Sequence, residues 1–138
     1  MLRSVDAVER SVHKTNEWLS DLVDELGIQG KEDAWRILKV YLQMLRDQLT
    51  IDEAAQFAAQ LTPVLRGAFY EGFDPGSQEK VRDRDEFLAR FAERAGVSDA
   101  ARAIEAATSV VRRHITAGEM DDVLSQLPSE VREVLLQS

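Results

Sequence analysis

Cysteine is absent from this sequence of 138 residues, and histidine, proline and glycine are scarce. Without a thiol, the chain can hold no disulfide bond, thiolate nucleophile, iron–sulfur cluster or cysteine-type zinc site. The two histidines leave few groups for metal binding or general-base catalysis. The longest apolar runs are too short to span a bilayer, and the first residues lack the pattern of a signal peptide. We therefore expect a protein that does not span a membrane.

Positive charge is also in deficit, with 17 lysines and arginines against 25 aspartates and glutamates and a net charge of −8. The acidic surplus is spread evenly over the two halves of the chain, with neither a basic tail nor an acidic block. Nucleic-acid binding draws on the release of counterions by clustered basic side chains. We therefore predict that the chain does not bind nucleic acid.

The sequence has instead the composition and the periodicity of helices. Alanine, leucine, glutamate, arginine and glutamine dominate, and apolar residues recur at steps of three and four. The first helix is predicted to begin after Ser4, as N-cap, and to end at Gly27. Its apolar stripe consists of Val5, Val8, Val12, Leu19, Leu22, Val23 and Leu26.

Capping residues divide the following stretch into three further helices. Thr50 and Glu53 have the spacing of a capping box, in which each residue binds the backbone amide of the other. Thr62 and Pro63 supply an N-cap and a proline in the first turn, where a missing amide hydrogen costs nothing. These signals predict helices over about 31–49, 51–60 and 63–70.

The second half of the chain repeats the order of caps, stops and apolar positions of the first. Residues 17–27 align with residues 86–96, each segment ending in glycine, and Thr50–Glu53 aligns with Thr116–Glu119. We predict an all-α fold, a single globular helical domain over residues 1–138, built as about eight helices in two four-helix repeats with orthogonal or mixed packing. The repeats cover about 4–70 and 84–138, and the linker covers about 71–83.

Several strings carry a resemblance to a bacterial family. The most specific read Val-His-Lys-Thr-Asn-Glu-Trp from Val12 and Tyr-Glu-Gly-Phe-Asp-Pro from Tyr70. With them, the chain resembles the family called domain of unknown function 2267 from about Val12 to Leu135, with Phe73 where the family usually has tryptophan. The resemblance implies an all-helical, cytoplasmic bacterial protein. It implies no activity and supplies no catalytic, cofactor or ligand residues.

Two clusters that could carry chemistry have ordinary structural interpretations. His13 and Glu17 share one helical face and could present two metal ligands, but a solvated ion pair is favoured because nothing else in the sequence supports a metal site. Arg112, Arg113 and His114 end the sixth predicted helix. Cations at that position complement the helix dipole more often than they form a patch for an acidic partner. We predict no metal, no cofactor and no catalytic residue.

The most unusual stretch surrounds the start of the linker, where Phe69, Tyr70 and Phe73 lie close together. They could form a loop that binds a partner, but we favour a hydrophobic plug at the seam between the repeats. In that interpretation Phe69 is buried, the linker crosses between the repeats, and its aromatic groups fill space where the second repeat is thinner. The last helix has apolar residues that either pack on the core or form a homodimer face: Val131, Val134 and Leu135.

Two functions of different classes follow from these observations. The first is a non-enzymatic, cytoplasmic protein-interaction or regulatory module, acting as a monomer or a homodimer. The second is a helical protein that holds a small molecule or lipid between its repeats. A closed core without an apolar cavity of ligand size would count against the second function.

Overall fold

The computed structural model describes residues 5–136, which form eight α-helices and no strand. A short 3-10 turn, Pro75–Ser77, lies between the fourth and fifth helices. The predicted all-α class is confirmed over these residues. The helices are α1 (Asp6–Leu26), α2 (Lys31–Arg46), α3 (Ile51–Ala58), α4 (Pro63–Tyr70), α5 (Arg84–Ala95), α6 (Ala100–His114), α7 (Ala117–Gln126) and α8 (Ser129–Leu136).

The predicted caps set the starts of α3 and α4. Thr50 Oγ1 accepts a hydrogen bond from the Glu53 amide at 3.2 Å, and the Glu53 carboxylate accepts one from the Thr50 amide at 2.8 Å. Thr62 Oγ1 accepts from the Leu65 amide at 3.1 Å, and Pro63 occupies the first turn of α4. These short contacts satisfy amides that have no partner within the helix, so local sequence fixes both boundaries.

The two ends of α1 are set differently. Gly27 ends the helix with a φ angle of 65°, a left-handed conformation that glycine adopts without strain. Ser4, the predicted N-cap, lies outside the described residues, and Val5 occupies the position before the first helical residue. The predicted C-terminal stop is therefore confirmed.

α2 ends at Arg46, before the predicted end at Leu49. The amides of Gln48 and Leu49 each bond the carbonyl three residues back at 3.0 Å, so the chain tightens into a turn. The Gln78 side-chain amide, which belongs to the linker, donates to the Leu49 carbonyl at 2.7 Å. The linker is thus hydrogen-bonded to the turn that ends α2, and local sequence does not predict this contact.

One continuous hydrophobic core contains buried residues from both halves of the chain. α2 is its central element and packs against α1, α4, α5 and α6. Where α2 meets α6, the Tyr41 hydroxyl shares a hydrogen bond with Thr108 Oγ1 at 2.9 Å. The core interpretation of the last helix is confirmed and the homodimer interpretation is wrong, because three residues of α8 are buried within the chain: Val131, Val134 and Leu135.

The helix pairings are the same in both halves. α1 packs on α6 as α5 packs on α2, and α2 packs on α4 as α6 packs on α8. The pairs α1–α2 and α1–α4 likewise correspond to α5–α6 and α5–α8. Two further pairs, α2–α6 and α3–α7, join each helix to its own counterpart. The pattern of helix contacts therefore has an approximate two-fold symmetry.

Matched side-chain contacts follow this symmetry. Arg36 Nε donates to the Ala95 carbonyl at the end of α5 at 2.7 Å, and Arg102 Nη2 donates to the Glu25 carbonyl near the end of α1 at 2.8 Å. Each half thereby binds carbonyls that the other half's first helix leaves unpaired. A duplicated four-helix unit would produce such contacts, and the duplication itself stays a prediction.

A second matched pair holds the short helices of each half together. Arg66 and Arg132 each donate from Nε and Nη2 to two backbone carbonyls that precede them, at distances of 2.9–3.3 Å. The acceptors are Ala58 and Leu61 in the first half and Leu124 and Leu127 in the second. Because these carbonyls lie at helix ends, each arginine completes a hydrogen-bond set that the backbone alone leaves open.

We expect Tyr41→Phe to lower the free energy of unfolding by about 1 kcal/mol at neutral pH, since it removes one buried hydrogen bond. The Thr108 hydroxyl keeps its bond to the Ile104 carbonyl, so no buried donor is left without a partner. Burial raises the pKa of Tyr41, while its hydrogen bond to Thr108 and the charge of Arg112 act in the opposite direction.

The raised pKa gives this substitution a pH signature. Above about pH 10 the tyrosine of the unfolded chain ionises while the buried phenol stays neutral, so the wild type loses stability as pH rises. Tyr41→Phe should lose less over the same range, as measured by urea unfolding at a series of pH values. Tyr70→Phe, at a half-buried tyrosine, is the control. If the free energy of unfolding fell equally steeply with pH in the wild type and in Tyr41→Phe, the raised pKa of Tyr41 would be contradicted.

Candidate functional site

The aromatic residues at the start of the linker form one row with Phe57 of α3. Ring centroids are 5.6 Å apart for Phe57 and Phe69, 5.1 Å for Phe69 and Tyr70, and 5.8 Å for Tyr70 and Phe73. Phe69 is fully buried, which confirms that expectation, and Tyr70 and Phe73 are half-buried. The ring contacts of Phe69 lie within the first half of the chain, so its role as a plug between the halves stays a prediction.

The linker contacts both halves rather than extending freely into solvent. Gln78 binds the Leu49 carbonyl in the turn after α2, and the Glu79 carboxylate accepts from Arg90 of α5 at 2.7 Å. Val81 is buried in the common core. The predicted crossing of the linker therefore has direct contacts on each side.

Arg46 anchors the linker to α2. The residue is only 5% exposed, and its Nη1 donates to the carbonyls of Phe69 and Glu71 at 2.9 and 3.0 Å. The Nε and Nη2 groups donate to the two carboxylate oxygens of Asp47. The guanidinium carbon lies 5.2 Å from the centre of the Phe73 ring. Charge pairing, carbonyl bonds and an aromatic contact thus offset the cost of burying this cation.

The sequence analysis missed Arg46 because a cation in the last turn of a helix is ordinarily a solvated group. One signal was available: the arginine directly follows Leu45 on a helix whose apolar face is unusually broad. Ten of the sixteen residues of α2 are buried, and the arginine at its end is one of them.

An open groove of about 440 Å³, here called the linker groove, lies between the linker, the end of α2 and α5. Guanidinium and carboxylate groups dominate its walls, with the Ser77 hydroxyl beside them. Most of these charges are engaged: Arg46 with Asp47, and Arg90 with Glu79. The charged lining residues are Arg46, Asp47, Asp74, Glu79, Arg90, Glu93 and Arg94. Such a groove suits a small polar ligand better than an apolar one.

The first turns of α1 expose an apolar face, here called the α1 face, formed by Val5, Val8 and Val12. Their exposed fractions are 62%, 60% and 47%. The sequence analysis placed them in one stripe with Leu19 and Leu22; those two leucines are buried, whereas the three valines are exposed. The same turns of α1 contact the rest of the protein through other side chains.

Polar side chains of α1 carry those inward contacts. Ser11 and Thr15 are buried, and both touch the start of α4. Ser11 Oγ accepts from the Val64 amide at 3.2 Å, and Thr15 Oγ1 shares a hydrogen bond with Thr62 Oγ1 at 2.7 Å. The side of α1 that carries these hydroxyl groups faces the start of α4, and the side that carries the three valines is exposed to solvent.

The two histidines lie in unlike surroundings. His13 and Glu17 form an exposed pair at 3.1 Å, as the favoured interpretation expected. His114 stacks on the buried Trp18, with ring centroids 4.6 Å apart, and its Nε2 lies 2.7 Å from a carboxylate oxygen of Asp21. Within residues 5–136, no group of three or more histidine, aspartate and glutamate side chains is placed to hold a metal ion.

The basic residues that end α6 bind acidic side chains of α1. Arg113 contacts the Glu25 carboxylate and lies within 3.9 Å of Asp21, which also contacts His114. Ser109 donates to Glu25 at 3.0 Å. These partners lie far apart in the sequence, so only the packing of α6 on α1 could reveal them.

These contacts define an all-α protein whose eight helices share one core, with a polar groove at its linker. None of the helices among residues 5–136 combines the length and hydrophobicity needed to cross a bilayer. A family model for uncharacterized conserved proteins, DUF2267, matches residues 15–134, and the chain belongs to that family. The match includes the linker groove and begins after the α1 face. A search among curated proteins finds no match.

We expect Phe69→Ala to lower the free energy of unfolding by about 3–5 kcal/mol, as for other fully buried phenylalanines. Phe73→Ala, at a half-buried ring over Arg46, should lower it by about 1 kcal/mol. Denaturant unfolding of both variants measures the difference. A loss below about 1 kcal/mol for Phe69→Ala would mark the aromatic row as a surface feature.

Arg46→Lys should lower the free energy of unfolding by about 3 kcal/mol, although the charge is kept. An ammonium group cannot bind the Asp47 carboxylate and the carbonyls of Phe69 and Glu71 at once in the planar geometry of a guanidinium. Arg66→Lys is the matched control, since Arg66 also binds two carbonyls but is exposed, and we expect a smaller loss. The order of the two variants in thermal unfolding tests the anchor role.

Proposed function

We propose that the chain is a non-enzymatic protein-interaction module that acts in the cytoplasm and binds its partner through the α1 face. The observation that supports this function is the exposure of Val5, Val8 and Val12, three apolar side chains at helical spacing. Apolar anchors at such spacing are the means by which amphipathic helices enter hydrophobic grooves of other proteins.

The size of the α1 face favours a groove on a different protein over a second copy of this chain. A stable interface buries about 1,200 Å² or more in total. Three valines from each of two copies supply only a fraction of that area. A groove that surrounds the first turns of α1 would bury all three valine side chains and the flanks of the helix. Two convex helices that pack against each other would leave those flanks exposed.

The alternative function, a small molecule or lipid between the halves, has less support from the geometry. The seam is filled by packed side chains where α2 meets α6, with Tyr41 and Thr108 in direct contact. One open groove of about 470 Å³ lies between the loops that follow α1 and α5, with Ile37 and Val97 beside Arg36 and Arg102. Its mixed lining differs from the enclosed apolar cavity that a lipid chain prefers.

Site-specific cross-linking tests the proposed surface. A photo-reactive amino acid at position 8 should cross-link a defined protein in the cells that encode this chain. The same group at position 51, where Ile51 is also exposed but lies on α3, should not. Val8→Glu should abolish the cross-link formed from position 12, because a carboxylate would have to be desolvated in the groove.

Two outcomes would overturn this function. Equal cross-linking from positions 8 and 51 would show that contact does not depend on the α1 face. Cross-linking of the chain only to itself, together with a dimer in sedimentation at micromolar concentration, would replace a foreign partner by a second copy. Circular dichroism of Val8→Glu and Ile51→Glu serves as the folding control for both.

A further inference from the structure

Gln48 is a buried polar residue whose acceptor has no partner in the described part of the chain. The residue is 6% exposed, and its Oε1 atom is the one buried side-chain oxygen or nitrogen among residues 5–136 without a hydrogen bond. A buried carbonyl oxygen left in this condition costs about 1–3 kcal/mol, so a donor is expected to bind there.

A small cavity at the floor of the linker groove lies against Gln48. Its volume is about 10 Å³, close to the minimum of roughly 10–15 Å³ that holds one water-sized group. The cavity and the groove share four lining residues, so a group in the cavity can be reached from the groove: Asp47, Glu79, Arg90 and Arg94. Apolar walls are supplied by Met44 and Val81.

The charged neighbours decide which chemistry fits. Arg90 binds Glu79 and Glu86, whereas Arg94 donates from Nη2 to Gln43 and has further N–H donors on its guanidinium. A fully deprotonated anion has no hydrogen to donate to Gln48 Oε1, and an ammonium group has no lone pair with which to accept from Arg94. A hydroxyl-type oxygen can donate its hydrogen to Gln48 Oε1 and at the same time accept a hydrogen bond from Arg94.

We propose that the floor of the linker groove binds one hydroxyl-type oxygen, which donates to Gln48 Oε1 and accepts from Arg94. The oxygen belongs to a water molecule or to a hydroxyl group of a small polyol held in the groove above. In either case it joins the turn after α2 to α5, at the point where the two halves of the chain meet. This site does not involve the α1 face and is independent of the proposed function.

High-resolution crystal structures of the full chain test the site. Crystals grown without any polyol should show one isolated oxygen within hydrogen-bond distance of Gln48 Oε1 and Arg94, which identifies water. Crystals grown with excess erythritol distinguish the second source, because density continuous from the floor into the groove identifies a polyol hydroxyl. Both results support the proposal. Direct contact between Gln48 and Arg94 with no oxygen between them would overturn it.

Gln48→Met supplies a test in solution. Methionine has a similar volume and fills the site without an acceptor, so the variant should fold. Magnetic relaxation dispersion of water should then detect one fewer long-lived water molecule than in the wild type. Gln56→Met, at an exposed position on α3, should leave that number unchanged. An unchanged number in Gln48→Met, with no polyol present, would contradict the site.

Discussion

The burial of α2 is the constraint on which the rest of the structure depends. The helix packs against α1, α4, α5 and α6, and three polar side chains of its second half are buried there: Tyr41, Gln43 and Arg46. Tyr41 therefore bonds Thr108, Gln43 donates to the Ala68 carbonyl, and Arg46 binds the carbonyls at the start of the linker. The course of the chain after α4 is in this sense set by the hydrogen-bond needs of α2.

The approximate two-fold symmetry explains where the structure is regular and where it is not. Arginines at matched positions bind the helix ends of the opposite half, which fixes the halves relative to each other. The symmetry fails before α5, where the linker turns back over the end of α2, and at α1, which has 21 residues against 12 in α5. The linker groove and the α1 face both lie at these departures. Only the groove lies within the part of the chain that matches the family model.

Much of the secondary structure could be predicted from the sequence because its causes are local. Thr50 with Glu53, Thr62 with Pro63, and Gly27 each act within one turn of chain, so their pattern suffices. The burial of Phe69 was also predicted, from the expectation that the aromatic residues near the linker fill space between the repeats. The anchor role of Arg46 was not, because its acceptors are carbonyls more than twenty positions away. The unpaired oxygen of Gln48 was not predictable either, because several of the residues around it come from the linker and α5, which are distant in the sequence.

The sequence by itself determined the helical class, the caps that begin α3 and α4, and the acidic surface. The tertiary structure decided which apolar residues are core and which are surface. Val12 and Leu19 belong to one helical stripe, yet only Leu19 is buried. Periodicity reports the face of a helix on which a residue lies, but burial depends on whether another element covers that part of the face. α6 packs along α1, while the hydroxyls of Ser11 and Thr15 take the contacts to α4 and leave the three valines exposed.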